Sequence, residues 1–287
     1  MATSAADDEA TLLTFTEDRY NGVELKVAPS AASRADAFRE TLEKRVAGWQ
    51  AAGKGGLWLR VPTECAGLCG AAAALGFDFH HAKPGYVLMT RWLLPTPSPL
   101  PKYAFTQIGC GGVVVNSKGE VLMVQEKVSP MPMYHGSWKL PGGLADPGEN
   151  FADAVAREVR EETGVESLLA GVVSLRHMHG VRFGQSDLYV VVLLQAATEE
   201  IHMDPNELMG AKWMGRDEIR AKLAPEGAKS HDGLVSATNL RVIENALDGT
   251  LIVGETVHSS VPGRRPSMLY TAAGPGGGSA LGRLSED

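Results

Sequence analysis

Gly143-Leu144-Ala145-Asp146-Pro147-Gly148-Glu149, then seven residues, then Arg157-Glu158-Val159-Arg160-Glu161-Glu162-Thr163-Gly164-Val165: the reading of the chain turns on this stretch. At about 100° per residue, Phe151, Val155 and Val159 form one apolar stripe, which predicts a helix over 151–163 stopped by Gly164. On that wheel Glu162 falls about 20° and Glu158 about 60° from Val155, and Glu161 about 120° on the same flank. Like charges at i, i+3 and i+4 repel, and a carboxylate turned toward a core must be paired, protonated or bound to a cation. Arg157 and Arg160 fall on the far side of the wheel, so the cluster is expected to lack compensation from its own helix. A divalent cation is the natural partner, and hard carboxylate oxygens suit Mg²⁺ or Mn²⁺.

The whole chain is compatible with such a site. It has 287 residues, with 27 Lys+Arg against 34 Asp+Glu, a formal charge of −7 and 44% hydrophobic residues. That is enough apolar material for two modest cores, which excludes a wholly disordered protein. An acidic balance without a basic run argues against general nucleic-acid coating. The longest apolar run, Leu188 to Leu194, is far too short to span a bilayer. The N-terminus, with Asp7, Asp8 and Glu9, has neither a secretory nor a mitochondrial pattern, so a cytoplasmic or nuclear location is expected. Three cysteines make no disulfide framework. Cys65 and Cys69 share a stripe with Leu68, Ala72 and Leu75 and read as small core residues, and Cys110 has no basic neighbour to activate it.

Two boundaries divide the sequence. Four prolines between Leu94 and Pro101 read as a stiff linker, and the Gly/Pro-rich end from about Pro262 reads as a tail. The expected organisation is a disordered 1–11, a small α/β domain at 12–93, a linker at 94–103, a second domain at 104–258 and a disordered tail at 259–287. In the first domain, Val23 to Val27, Leu57 to Val61 and Tyr86 to Met89 read as strands. Phe38, Leu42, Val46 and Trp49 mark one helix, and Cys65 to Leu75 another. Gly48, Gly53 and Lys54 have P-loop spacing. Gly55 stands where a Mg²⁺-binding Ser or Thr is needed, however, so a helix end with a Gly-rich turn is the better account. In the second domain, Ile108 to Val115 and Val121 to Gln125 read as a strand pair across Asn116 to Gly119. Strands follow at 172–175, 188–194 and 211–214, with a helix at 217–223 and a peripheral helix and strand within 231–258.

The glutamate stretch resembles, at every fixed position, the Nudix box G-x5-E-x7-R-E-U-x-E-E-x-G-U, with U aliphatic. Average residue frequencies would yield such a match in a chain this long well under about once in a hundred thousand. The resemblance implies an α/β fold, an α/β/α sandwich with a mixed sheet, and hydrolysis of a nucleoside diphosphate linked to another group. It implies Glu158, Glu161 and Glu162 as metal ligands, with the Gly143 carbonyl as a further one, and Glu149 with Arg157 as a structural ion pair. Glu158 or Glu161 would act as general base. Glu207 resembles a loop glutamate that approaches the metals in some members, and a solvent-facing turn is the equal alternative.

Gly53 to Arg60, Leu75 to Ala82, Gly136 to Gly143 and Ser186 to Tyr189 extend the similarity to a eukaryotic Nudix branch with a pre-Nudix domain, over roughly residues 12–222. That branch includes plant ADP-ribose/NADH pyrophosphatases and a vertebrate growth-factor-antisense Nudix protein. It implies ADP-ribose or NADH as substrate and allows a homodimer. Substrate markers outside the box are absent: there is no Ser-Gln-Pro-Trp-Pro-Phe-Pro-x-Ser string, and Gly180 and Val181 stand where other subgroups carry Pro or Tyr. Trp138 either stacks on a purine or packs in the core. His80-His81 and His177-x-His179 read as surface or strand residues rather than metal ligands. The competing function is a silent nucleotide-binding scaffold acting through the first domain.

Overall fold

The computed structural model describes residues 12–129, 131–249, 252–257 and 267–272. The chain divides into two compact units at Phe105/Thr106. Among the described residues no helix is long and apolar enough to cross a membrane.

The first unit is a five-stranded mixed sheet. Its strands are β1 (Leu13–Glu17), β2 (Val23–Val27), β3 (Gly56–Pro62), β4 (Asp78–Lys83) and β5 (Tyr86–Trp92), in the order β1-β2-β3-β5-β4. Only β2 and β3 run parallel, and a parallel neighbour requires a crossover. Helix α1 (Ala35–Ala51) supplies it, burying Phe38, Leu42, Val46 and Trp49 against Leu25, Leu57, Leu59 and Met89. Gly48 lies inside this helix and Gly53 takes φ +70° just beyond its end. The P-loop spacing is thus a helix end. Cys65 and Cys69 are buried in the same core.

One expectation needs correcting here. The segment from Cys65 to Leu75 is a 3₁₀ turn (Thr63–Leu68) followed by a short helix α2 (Cys69–Ala74), because Gly67 and Gly70 weaken a continuous α-helix. Strands β1 and β4 are absent from the sequence expectation: both are edge strands with Leu13 their one buried residue, and their place is set by pairing with β2 and β5. The proline segment, expected as a stiff linker, contacts the first sheet. Leu93 N–H donates to the Gly55 carbonyl, the Leu100 side chain fills the space beside Gly56, and Tyr103 stacks on His81 at 4.3 Å.

The second unit is an α/β/α sandwich around a seven-stranded mixed sheet. Its strands are β6 (Thr106–Val115), β7 (Val121–Glu126), β8 (Ser167–Met178), β9 (Ser186–Ala196), β10 (Leu208–Met214), β11 (Ile252–Val257) and β12 (Ser267–Ala272), in the order β10-β7-β6-β9-β8-β11-β12. Helix α3 (Phe151–Thr163) buries Ala154, Val155 and Val159 against Cys110, Val114, Val190 and Val192 on one face. On the other face, α4 (Arg216–Ala221) and α5 (Ala237–Leu247) pack Ile219, Ile243 and Ala246 against Val113, Val191 and Leu193. Part of the expected tail is a strand, since 267–272 pairs antiparallel with β11. The run Met268-Leu269-Tyr270-Thr271 has strand propensity that the surrounding Gly and Pro composition obscures. Residues 1–11, 258–266 and 273–287, on which the other disorder expectations fall, lie outside the described residues.

The strand pair predicted across Asn116 to Gly119 holds only at its turn. β6 and β7 share the single register pair Val115↔Val121, and β6 otherwise runs parallel to β9. Residues 139–145 enter the gap between them. Lys139 and Val124 exchange two 2.9 Å hydrogen bonds, Gly112 N–H donates to Pro141 O at 2.9 Å, and Cys110 N–H donates to Gly143 O at 2.7 Å. This insertion needs glycine: a Cβ on Gly142, which sits at φ +143°, would stand 2.2 Å from the Cys110 carbonyl oxygen and 2.8 Å from Gly111 Cα. Both obstacles are backbone. Gly142→Ala is therefore expected to cost about 3 kcal/mol or more of stability, read as a lowered urea midpoint.

Candidate catalytic site

The inserted loop and α3 meet at the glutamates. Glu162 is 5% exposed and its carboxylate accepts a 3.3 Å hydrogen bond from Gly142 N–H. The Glu158 carboxylate lies against Gly143, 2.6 Å from where a Cβ would project. Both acids thus flank the Gly142-Gly143 turn, and a side chain at Gly143 would push Glu158 away. Glu161, 52% exposed at its side chain, faces outward. Periodicity alone ordered these three burials correctly.

Arg157 is not on an idle face, and here the wheel misleads. Its guanidinium donates to both Glu149 oxygens (2.9 and 3.0 Å), to Glu158 (2.8 Å), to Glu161 (3.1 Å) and to the Leu144 carbonyl (3.1 Å). A wheel records where Cβ leaves the helix, whereas a long arginine reaches residues one position and one turn away. Glu149 also accepts from Asp146 N–H, and these bonds hold its carboxyl below the usual carboxylate range. The Glu149–Arg157 pair ties the loop to the helix, and the same guanidinium compensates Glu158 and Glu161.

Glu162 is left without that help. Burial is the main cause that pushes its carboxyl up to about 7, and neighbouring Glu158 and Glu126 add to the rise, while Lys139 and the Gly142 N–H oppose it. Glu126 ends β7 and is ion-paired with Lys139. Glu126, Glu162 and Glu207, with Val128, Asn206 and Leu208, line a cavity of about 300 Å³. The Glu207 loop is brought there by backbone: His202 N–H donates to Thr163 O (2.8 Å), Asp204 N–H to Glu162 O (2.9 Å), and Lys127 N–H to Glu207 O (2.8 Å).

The structure therefore sorts the sequence-derived residues into two groups. Glu162 and Glu207 share the cavity; Glu149, Glu158 and Glu161 surround Arg157. Among the described residues no three His, Cys, Asp or Glu side chains are gathered as a metal shell. In kind, the donors still suit a hard divalent cation: a buried, uncompensated carboxylate, a second one beside it and a third one turn away. The Gly143 carbonyl, implied as a ligand, already accepts from Cys110 and keeps one lone pair. Trp138 is half-buried against the core that holds Val235 and Met214, with the Lys212 ammonium 5.3 Å from its ring centre. His179 Nδ1 bonds Ser186 Oγ, and the buried Cys110 thiol is pushed up to about 11. Glu126 and Lys139 escaped the sequence reading. A charged residue at a strand end looks solvent-facing until the fold brings α3 beside it.

Comparison with known proteins follows the same boundaries. Residues 106–236 match the NUDIX domain and residues 13–93 the Nudix hydrolase domain. Nudix hydrolase 8 of Arabidopsis thaliana is 40% identical over 240 residues, 83% of this chain and 64% of that protein. Nudix hydrolase 2 of the same plant is 35% identical over 213 residues, 74% of this chain and 75% of that protein. Human nucleoside diphosphate-linked moiety X motif 6 is 36% identical over 208 residues, 70% and 65% of the respective lengths. The chain thus spans slightly less than two thirds of the first and third of these relatives.

Proposed function

Since the chain belongs to the Nudix hydrolase family, we propose that it hydrolyses the diphosphate bridge of a nucleoside diphosphate linked to a second group, with ADP-ribose and NADH the foremost substrates. The observation that carries this reading is Glu162: a carboxylate 5% exposed, with no ion-pair partner among the described residues, at the wall of a cavity it shares with Glu126 and Glu207. Such a group is costly to maintain unless a cation joins it.

Glu162, Glu158 and Glu161 would hold Mg²⁺ or Mn²⁺, with the free lone pair of Gly143 O in reach of the same turn. A bound divalent cation supplies charge neutralisation for the two phosphates and a more acidic water. The chain's own residues do the rest. Gly142 and Gly143 keep the helix acids close to the loop. Arg157 holds Glu158 and Glu161 on one side, so that either can accept the proton of the attacking water once the arginine's contact with it loosens. Glu207 presents a further acceptor in the cavity it shares with Glu126. Lys139, bonded to Glu126, places a positive charge near Glu162 that a phosphate oxygen can share.

The test is a panel of ADP-ribose, NADH, diadenosine polyphosphates, coenzyme A and 8-oxo-dGTP, each with Mg²⁺ or Mn²⁺ and with EDTA. Cation-dependent release of AMP from ADP-ribose or NADH is the expected result. Silence across the panel with either ion overturns the reading.

A further inference from the structure

The helices of the first unit cover one face of its sheet, and the other face carries a groove of about 420 Å³ lined entirely by residues of that unit. Strand register arranges its side chains as two rows crossing the sheet. One row is Thr14, Lys26, Arg60 and Leu88; the next is Thr16, Glu24 and Trp58. Lys26 and Arg60 stand directly opposite each other on neighbouring strands about 4.8 Å apart.

Like charges in paired positions destabilise a sheet. Among the described residues neither cation has an ion-pair partner. The Arg60 guanidinium lies over the Tyr86 ring, 3.5 Å from its centre, which fixes the group's plane while leaving its N–H edge available. Thr14, paired with Lys26, adds a hydroxyl to the same row. In the second row the half-buried Trp58, in a T-shaped contact with His80 at 5.2 Å between ring centres, borders the groove with its indole. Rows two residues apart are separated by about 6.7 Å of strand, on the scale of the distance between a nucleobase and its 5′-phosphate. Glu24 stands in the Trp58 row, beside where a sugar's hydroxyls would lie and away from the cationic pair.

We propose that this groove binds an aromatic phosphate of the nucleoside monophosphate class, with Lys26 and Arg60 on the phosphate and Trp58 against the ring. The site uses no residue of the glutamate cavity, so it stands whether or not hydrolysis is observed.

The experiment is calorimetric titration of AMP into the full chain in EDTA, which withholds the cation from the glutamates. AMP is expected to bind, with adenosine and inorganic phosphate each at least tenfold weaker. Lys26→Gln and Arg60→Gln should each raise Kd at least tenfold, as should Trp58→Leu, while Glu162→Gln should leave it unchanged. The two cations are exposed, so their variants remain informative even if Trp58→Leu lowers stability. Absence of AMP binding, binding untouched by Lys26→Gln and Arg60→Gln, or loss of binding in Glu162→Gln would each overturn the proposal. So would a dimer that Lys26→Gln or Arg60→Gln dissociates without any AMP bound.

Discussion

Replacing Glu162 by Gln is expected to make the metal-free protein more stable above neutral pH while reducing cation-dependent hydrolysis by about 10²-fold or more. The two effects share one cause. Burial lifts this carboxyl from the usual 4.5 to about 7, so folding favours its protonated form. Stability from that group is fully present below pH 4.5 and is lost as pH rises through about 7. The loss amounts to roughly 3 kcal/mol. Glutamine keeps the shape and carries no charge, so the variant should not show that decline. Thermal unfolding in EDTA at pH 5 and pH 8.5 reads the difference directly. Added Mg²⁺ should recover stability at pH 8.5 in the wild type and much less in the variant. Parallel pH slopes for the two proteins would remove the physical basis for a cation at this position.

Arg157→Met tests the other half of the site. The substitution retains much of the apolar stem but leaves Glu149, Glu158 and Glu161 without the guanidinium that now bonds all three. Breaking a well-buried pair costs about 3–5 kcal/mol. With Arg157 still 23% exposed at its side chain, roughly 2–3 kcal/mol is expected here. Because Glu158 and Glu161 are then free, Mg²⁺ should raise the melting temperature of the variant more than that of the wild type. Arg157→Lys should not restore the loop, since an ammonium cannot bond both Glu149 oxygens in the same fork. A variant with unaltered melting temperature would show that the loop is held by its glycines alone.

Much of this site is legible before any coordinates. The helix over 151–163, its stop at Gly164 and the burial order Glu162, Glu158, Glu161 follow from a backbone repeat that operates within a few residues. The division near residue 100, the helix marked by Phe38, Leu42, Val46 and Trp49 and the rejection of the P-loop likewise rest on neighbours in the chain. The wheel failed at Arg157 because it describes where a side chain starts and not how far it extends. The strand-pair expectation failed at β6 and β7 because the residues that part them, 139–145, lie outside both strands.

Local spacing was thus sufficient to select three acids, a brace and the family of folds that uses them. It took the folded sheet to bring Glu126 beside Glu162, to carry Glu207 to the same cavity and to set Lys26 opposite Arg60. Those juxtapositions depend on strand order and register, which are decided by the burial of whole faces across long separations, and no window along the chain contains that information.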